Sequence, residues 1–175
     1  FDTDPQKGTP MARTQNATAD LKAFRKRGGK LLIPHGWADP VVFPERTIEY
    51  AKEVWKHSGG REQAGDFMRL FMVPGLGHCA GGAAPTEIGV PLQANPPVID
   101  ADHDLLSALD RWVEEGVAPA RIVASQVSGG VVTRTRPLCP YPQVARWTGV
   151  GSPDQAENFV CVNGEYDTGS KPWQQ

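Results

Sequence analysis

Two kinds of apolar pattern alternate along the chain. "KLLIPHG" (30–36) and "DFMRLFMVP" (66–74) are short runs of adjacent apolar residues, the pattern of strands covered on both faces. In the first of them Pro34 is read as the end of regular pairing. Other segments repeat their apolar residues at helical spacing. "DLKAFRKRGGK" predicts a short helix capped by Asp20, with Leu21 and Phe24 on one face and Gly28-Gly29 as its stop. "PERTIEYAKEVWKHSGG" predicts a longer helix with Pro44 at its entry and an apolar stripe of Ile48, Ala51, Val54 and Trp55. "DADHDLLSALDRWVEEG" is the strongest helical signal, its stripe formed by Leu105, Leu106, Leu109, Trp112 and Val113. "RIVASQV" and "GVVTRTRPL" then read as two strands of a hairpin around Ser128-Gly129-Gly130. Residues 80–97 read as an irregular surface excursion, and the tail from Pro140 as loop-rich.

Strand, loop, helix, strand, loop, helix is the order expected of an α/β domain: a mostly parallel sheet with helices on both faces. In such sheets functional groups collect beyond the carboxyl ends of the strands. Two chemically capable residues fall there. Asp39 lies in "GWADPVVFP", after the first strand, and His78 in "PGLGHCAGG", after the second. An acid and then a histidine, each after one of two consecutive strands, match the second half of the Ser, Asp/Glu, His chain order of an α/β-hydrolase. Nucleophilic catalysis needs that division of labour. A hydroxyl is a poor nucleophile near neutrality, a histidine must take and return its proton, and a carboxylate must fix the imidazole tautomer. The serine is expected upstream of Phe1, because none precedes Asp39 and none lies in a Gly-x-Ser-x-Gly elbow.

Composition narrows the picture. With 175 residues and a formal net charge of -2, the chain lacks the basic excess of a nucleic-acid binder. No apolar run approaches the roughly 18 residues of a membrane helix. Residues 1–19 are polar and aperiodic, an irregular lead-in to one unit spanning 20–175; Asn16-Ala17-Thr18 matches a glycosylation sequon. Of the three cysteines, Cys139 and Cys161 bracket a Pro- and Gly-rich stretch that a disulfide would stabilise by roughly 3 kcal/mol; the alternative is two buried thiols. A bridge between them would leave Cys79 to find a partner elsewhere.

The segments "GGKLLIPHGWADPVVFP", "FMRLFMVPGLGHCAGG", "ALDRWVEEGVAPARIVAS" and "TRPLCPYPQVARWTGVGSPDQAENFVCV" together resemble the C-terminal part of the tannase and feruloyl esterase family. The resemblance runs from about Asp20 to Val162. It implies the C-terminal portion of a secreted or periplasmic serine esterase with an α/β-hydrolase fold, whose nucleophile half and lid domain lie outside this chain. It also implies that His78 is the general base, that Asp39 orients it, and that Cys79 is bridged to an upstream cysteine preceding the serine. The implied partners are a small ester of an aromatic acid (gallate, ferulate or terephthalate) and the N-terminal part of the same protein, with no nucleic acid and no membrane. No cofactor is expected in this chain; calcium would belong to the lid.

Other readings of the same residues stand beside these. Asp39 before Pro40 suits an Asx turn, a role compatible with catalysis. His35 and Trp37 are candidates for the substrate pocket or its supporting layer. His57 is near a helix C-terminus, and His103 sits among Asp100, Asp102 and Asp104 at a solvated helix start. A zinc site from His35, Asp39, His78 and Cys79 matches no known short spacing, and a Cys79 nucleophile would need a base other than its own neighbour. The rival of a different class is a binding or interaction module that keeps the scaffold without catalysis.

Overall fold

A computed structural model describes residues 17–90, 93 and 98–164. The irregular lead-in expected at 1–19 therefore lies almost wholly outside the described residues, as does its sequon asparagine. The described elements are α1 (Lys22–Lys26), β1 (Leu31–Gly36), α2 (Pro44–Ser58), α3 (Arg61–Ala64), β2 (Met68–Val73), α4 (Leu105–Glu115), β3 (Ile122–Ser128), β4 (Val131–Leu138), β5 (Gln143–Trp147), a 3₁₀ turn (Ala156–Asn158) and β6 (Phe159–Asn163).

β1 and β2 pair in parallel, with Leu31 opposite Met68 and Gly36 opposite Val73. The alternation of side chains along β2 divides the core in two. Phe71 and Val73 face one cluster with Leu76, Ile88, Leu105, Ala108, Ile122, Ala124 and Leu138. Met68, Leu70 and Met72 face the other, with Ile48, Ala51 and Val54 of α2. Helices thus cover both faces of this pair. Each large aliphatic side chain fully buried there contributes about 1.5–3 kcal/mol.

The expectation of a mostly parallel sheet holds only for β1 and β2 among the described strands. β3–β4 and β5–β6 are antiparallel pairs. The first is the expected hairpin, its Gly129-Gly130 turn having positive φ at both residues (58° and 80°), as a right-twisted two-residue turn requires. The chain after β4 returns antiparallel along the free edge of β2, where Phe71 bridges Pro140 and the Tyr141 amide donates to the Leu70 carbonyl (2.7 Å).

Several local expectations change. Pro34 does not end β1; the strand runs on to Gly36. Leu31 donates to the Phe67 carbonyl just before β2 (2.8 Å) and Trp37 to the Val73 carbonyl at its end (3.0 Å), so the alternation of donors places the Pro34 nitrogen on the side away from β2. β1 is half-buried rather than enclosed, because β2 is its one strand neighbour among the described residues. Asp20 accepts from the Lys22 amide (3.2 Å), but Leu21 occupies the helix-cap position. In α4 the capping residue is Asp104, which accepts from the Ser107 amide (2.7 Å); Leu105, Ala108 and Trp112 turn inward while Leu106 and Val113 are exposed. The described part of 80–97 is not all surface, since Thr86 and Ile88 are buried and Glu87 bridges Ser125 of β3. The tail is more regular than expected: β5 and β6 pair through five residues each, and a disulfide joins Cys139 to Cys161.

Candidate active site

The two loops that follow β1 and β2 meet at the carboxyl end of the pair. Parallel pairing brings Gly36 and Val73, the last residues of the two strands, side by side, and the chain after each is then held by its neighbour. The Trp37 amide donates to the Val73 carbonyl and the Ala38 amide to the Leu76 carbonyl, both at 3.0 Å. Gly36 permits the crossing, because a β-carbon there would collide with the Leu76 carbonyl oxygen.

Asp39 is buried at the centre of this junction. Its Oδ1 accepts from the Val41 amide (2.8 Å) and the Val42 amide (3.0 Å), the Asx turn expected of Asp before Pro. Its Oδ2 receives Nδ1 of His78 at 2.9 Å. Burial alone would raise the Asp39 carboxyl, but the Val42 amide, His78 and the Val41 amide outweigh it and hold the group at about 2. Asp39 is therefore an anion across the physiological range, and Nδ1 of His78 is the donor to it. Nε2 of His78 has no hydrogen-bond partner among the described residues, and the side chain is 45% exposed. The arrangement can accept a proton at Nε2 and stabilise the resulting cation from behind.

His35, in β1, is nearly enclosed, with a side chain 10% exposed. It contacts the Val42 carbonyl through Nε2 (3.0 Å) and the Thr47 hydroxyl through Nδ1 (2.7 Å), and its Nε2 lies 3.6 Å from Asp39 Oδ2. A cleft of about 410 Å³ opens onto this group, lined among others by Pro34, His35, Asp39, His78, Cys79 and Val90. Trp37 is not in that lining; it borders a separate cavity of about 310 Å³ with Met72, Pro74 and Arg134. A larger cleft, about 550 Å³, surrounds Arg61 and Arg69 near the start of β2 and touches neither Asp39 nor His78.

Cys79 follows His78 in the left-handed backbone region (φ 66°), exposed and outside the Cys139–Cys161 bridge. That conformation costs a non-glycine residue about 1–3 kcal/mol, so the surrounding chain holds it there. His103 bonds Asp100 (2.7 Å) at the start of α4, and His57 lies in the last turn of α2. Among the described residues no group of three or more His, Cys, Asp or Glu side chains is arranged to hold a metal ion, and no helix is long and apolar enough to cross a membrane.

Sequence reasoning singled out Asp39, His78 and His35 but missed Thr47 and Gly36. The signal for Thr47 was present. His35 alternates in phase with Leu31 and Ile33, whose face packs on α2, and Thr47 lies in the first turn of α2.

The chain is similar to known proteins over most of its length. Over 93% of its length the chain is 44% identical to an uncharacterized esterase of Xanthomonas campestris pv. campestris, covering 32% of that protein. It is 39% identical, again over 93% of its length, to the mono(2-hydroxyethyl) terephthalate hydrolase of Piscinibacter sakaiensis, covering 26% of it. The structure superposes on feruloyl esterase B from Aspergillus oryzae with a TM-score of 0.77 at 29% identity, covering 92% of this chain and 34% of that one. The chain thus spans about a third or less of the length of these relatives. The model of the family "Tannase and feruloyl esterase" matches residues 2–162, and the chain belongs to that family.

Proposed function

We propose that these residues form the C-terminal portion of an α/β-hydrolase catalytic domain that hydrolyses carboxylic esters of aromatic acids, of the gallate, ferulate or terephthalate kind. The observation that carries the reading is the 2.9 Å bond between His78 Nδ1 and Asp39 Oδ2, made by loops that follow adjacent parallel strands. The names of the relatives support ester hydrolysis, and because the chain spans only 32% and 26% of two of them there is room for a nucleophile outside these residues, placed upstream by the Ser, Asp, His chain order. No serine lines the cleft beside His78 among the described residues.

In this mechanism a serine hydroxyl attacks the ester carbonyl and passes its proton to His78 Nε2. Nδ1 keeps its own proton and its bond to the Asp39 carboxylate, which stabilises the imidazolium. The imidazolium then protonates the departing alcohol, leaving an acyl-enzyme. Water attacks the acyl carbon by the same proton relay, releasing the acid and restoring the serine. Cys79, held beside His78, is proposed to be bridged to a cysteine next to that serine, a covalent tie between nucleophile and base loops. The Cys139–Cys161 disulfide supports an oxidising location, secreted or periplasmic.

The test is turnover of an aromatic ester by the complete protein and by its His78→Ala variant. Saturable hydrolysis lost in the variant is the expected result. Equal hydrolysis by the two removes His78 from catalysis and with it this mechanism; ester binding without hydrolysis leaves a binding module on a hydrolase scaffold.

A further inference from the structure

We propose that His35 is a positioning residue for the catalytic acid, acting as a neutral imidazole locked in one tautomer. The proposal rests on the reading of Asp39 and His78 given above. Its observation is the set of contacts around one nearly enclosed ring. A carbonyl oxygen can only accept, so Nε2 of His35, 3.0 Å from the Val42 carbonyl, carries the proton. In the neutral ring Nδ1 is then the lone pair, and the Thr47 hydroxyl at 2.7 Å donates to it. Both ring nitrogens are satisfied in the neutral Nε2–H form, and the side chain is 10% exposed.

That lock reaches Asp39 in two ways. Val42 is held by its carbonyl to His35, while its amide donates to Asp39 Oδ1 (3.0 Å). His35 therefore fixes the turn that fixes one carboxylate oxygen. The other oxygen, Oδ2, receives His78 at 2.9 Å and lies 3.6 Å from His35 Nε2. The carboxylate is thus set between two imidazoles with different tasks, one moving a proton and one holding the acid in place. Thr47 connects this to the frame: it sits in the first turn of α2, whose apolar stripe is embedded in the core, so the Asp39 loop is referenced to a rigid helix.

Three variants of the complete enzyme test this. In His35→Asn the short amide stays near Thr47 but cannot reach the Val42 carbonyl; kcat is expected to fall about 100-fold with KM nearly unchanged, the cost of misplacing a catalytic group. His35→Gln restores a donor at the Nε2 position and is expected to recover most of that loss. Thr47→Val keeps the shape but leaves Nδ1 without its hydrogen-bond partner and the ring without its tie to α2, and is expected to lower kcat by less than His35→Asn while the melting temperature stays near wild type. The downfield proton resonance of the His78 Nδ1–H should shift in both His35→Asn and Thr47→Val, which a purely structural role would leave in place for folded protein. Wild-type kcat and an unmoved resonance in Thr47→Val, or equal losses in the Asn and Gln variants, overturn the positioning role. Asp39→Asn in the same assay separates the two claims. If it abolishes turnover while the His35 and Thr47 variants are unaffected, only the positioning role fails; if it is itself fully active, both fail.

Discussion

Gly36 and Leu76 touch where the acid loop crosses the histidine loop, and no side chain fits between them. A β-carbon on residue 36 would strike the Leu76 carbonyl oxygen, and would stand 2.8 Å from the Gly77 carbonyl oxygen, one residue before His78. The same Leu76 carbonyl accepts the Ala38 amide (3.0 Å), one residue before Asp39. The spacing of Asp39 and His78 is therefore set by a backbone contact between their two loops.

Gly36→Ala should damage activity more than its size suggests. The Leu76 carbonyl must move, and with it the bond to Ala38, so Asp39 and His78 separate. Overpacking of this kind costs about 1–3 kcal/mol in stability, and a displacement near 1 Å costs about 100-fold in rate. Melting temperature and kcat of the complete enzyme measure both; a variant with wild-type kcat would show that the crossing is not what spaces the pair.

Asp39→Asn should cut turnover by about 10⁴-fold. The amide preserves shape but can present its NH₂ toward His78, which favours the tautomer with Nε2 protonated and unable to act as base. Steady-state rates on an aromatic ester check this, and near-normal activity removes Asp39 from the mechanism.

The same carboxylate makes a prediction about acid. Its folded value, about 2, lies below its ordinary value of 3.8. A carboxylate depressed on folding stabilises the protein above its unfolded value, and that stabilisation is lost as pH falls toward the folded value. The difference in melting temperature between wild type and Asp39→Asn should be constant at neutral pH and shrink between 3.8 and about 2. A difference that grows on acidification would mean the group is not held low.

Cys139 and Cys161, separated by 22 positions, should appear as one cross-linked peptide when the unreduced protein is alkylated and digested. Replacing both with serine should lower stability by about 3 kcal/mol in the chain-entropy account. Two alkylated thiols at these positions would contradict the bridge.

Cys79 distinguishes these 175 residues from the longer protein proposed above. In these 175 residues alone its exposed thiol should alkylate at once, and no esterase turnover should be seen. In the complete protein it should resist alkylation until reduced. Free labelling there would remove the proposed tie between the serine and histidine loops.

Much of this was legible along the chain because the signals are local. The helical spacing of Ile48, Ala51 and Val54, the continuous apolar runs of β1 and β2, and the Asp and His just beyond each strand are set by which faces must leave water and by where loops begin. Those patterns were sufficient for the α/β order and for Asp39 and His78, and the family segments pointed the same way. Strand partners were not local. β3–β4 could be read as a hairpin, but the antiparallel return of Pro140 and Tyr141 along β2, the pairing of β5 with β6, and the burial of Thr86 and Ile88 depend on surfaces remote in sequence. So did the outward turn of Leu106 and Val113, since periodicity marks an apolar stripe without saying how wide a strip the sheet will cover. The sequence by itself determined the order of the main helices and strands as far as β4 and marked Asp39 and His78 as the residues able to carry chemistry. The tertiary structure alone decided that Asp39 accepts from His78 at 2.9 Å, that His35 is locked against Thr47, and that Gly36 must have no side chain. Those are distances between atoms on separate elements, and they exist only once β1, β2 and α2 have packed.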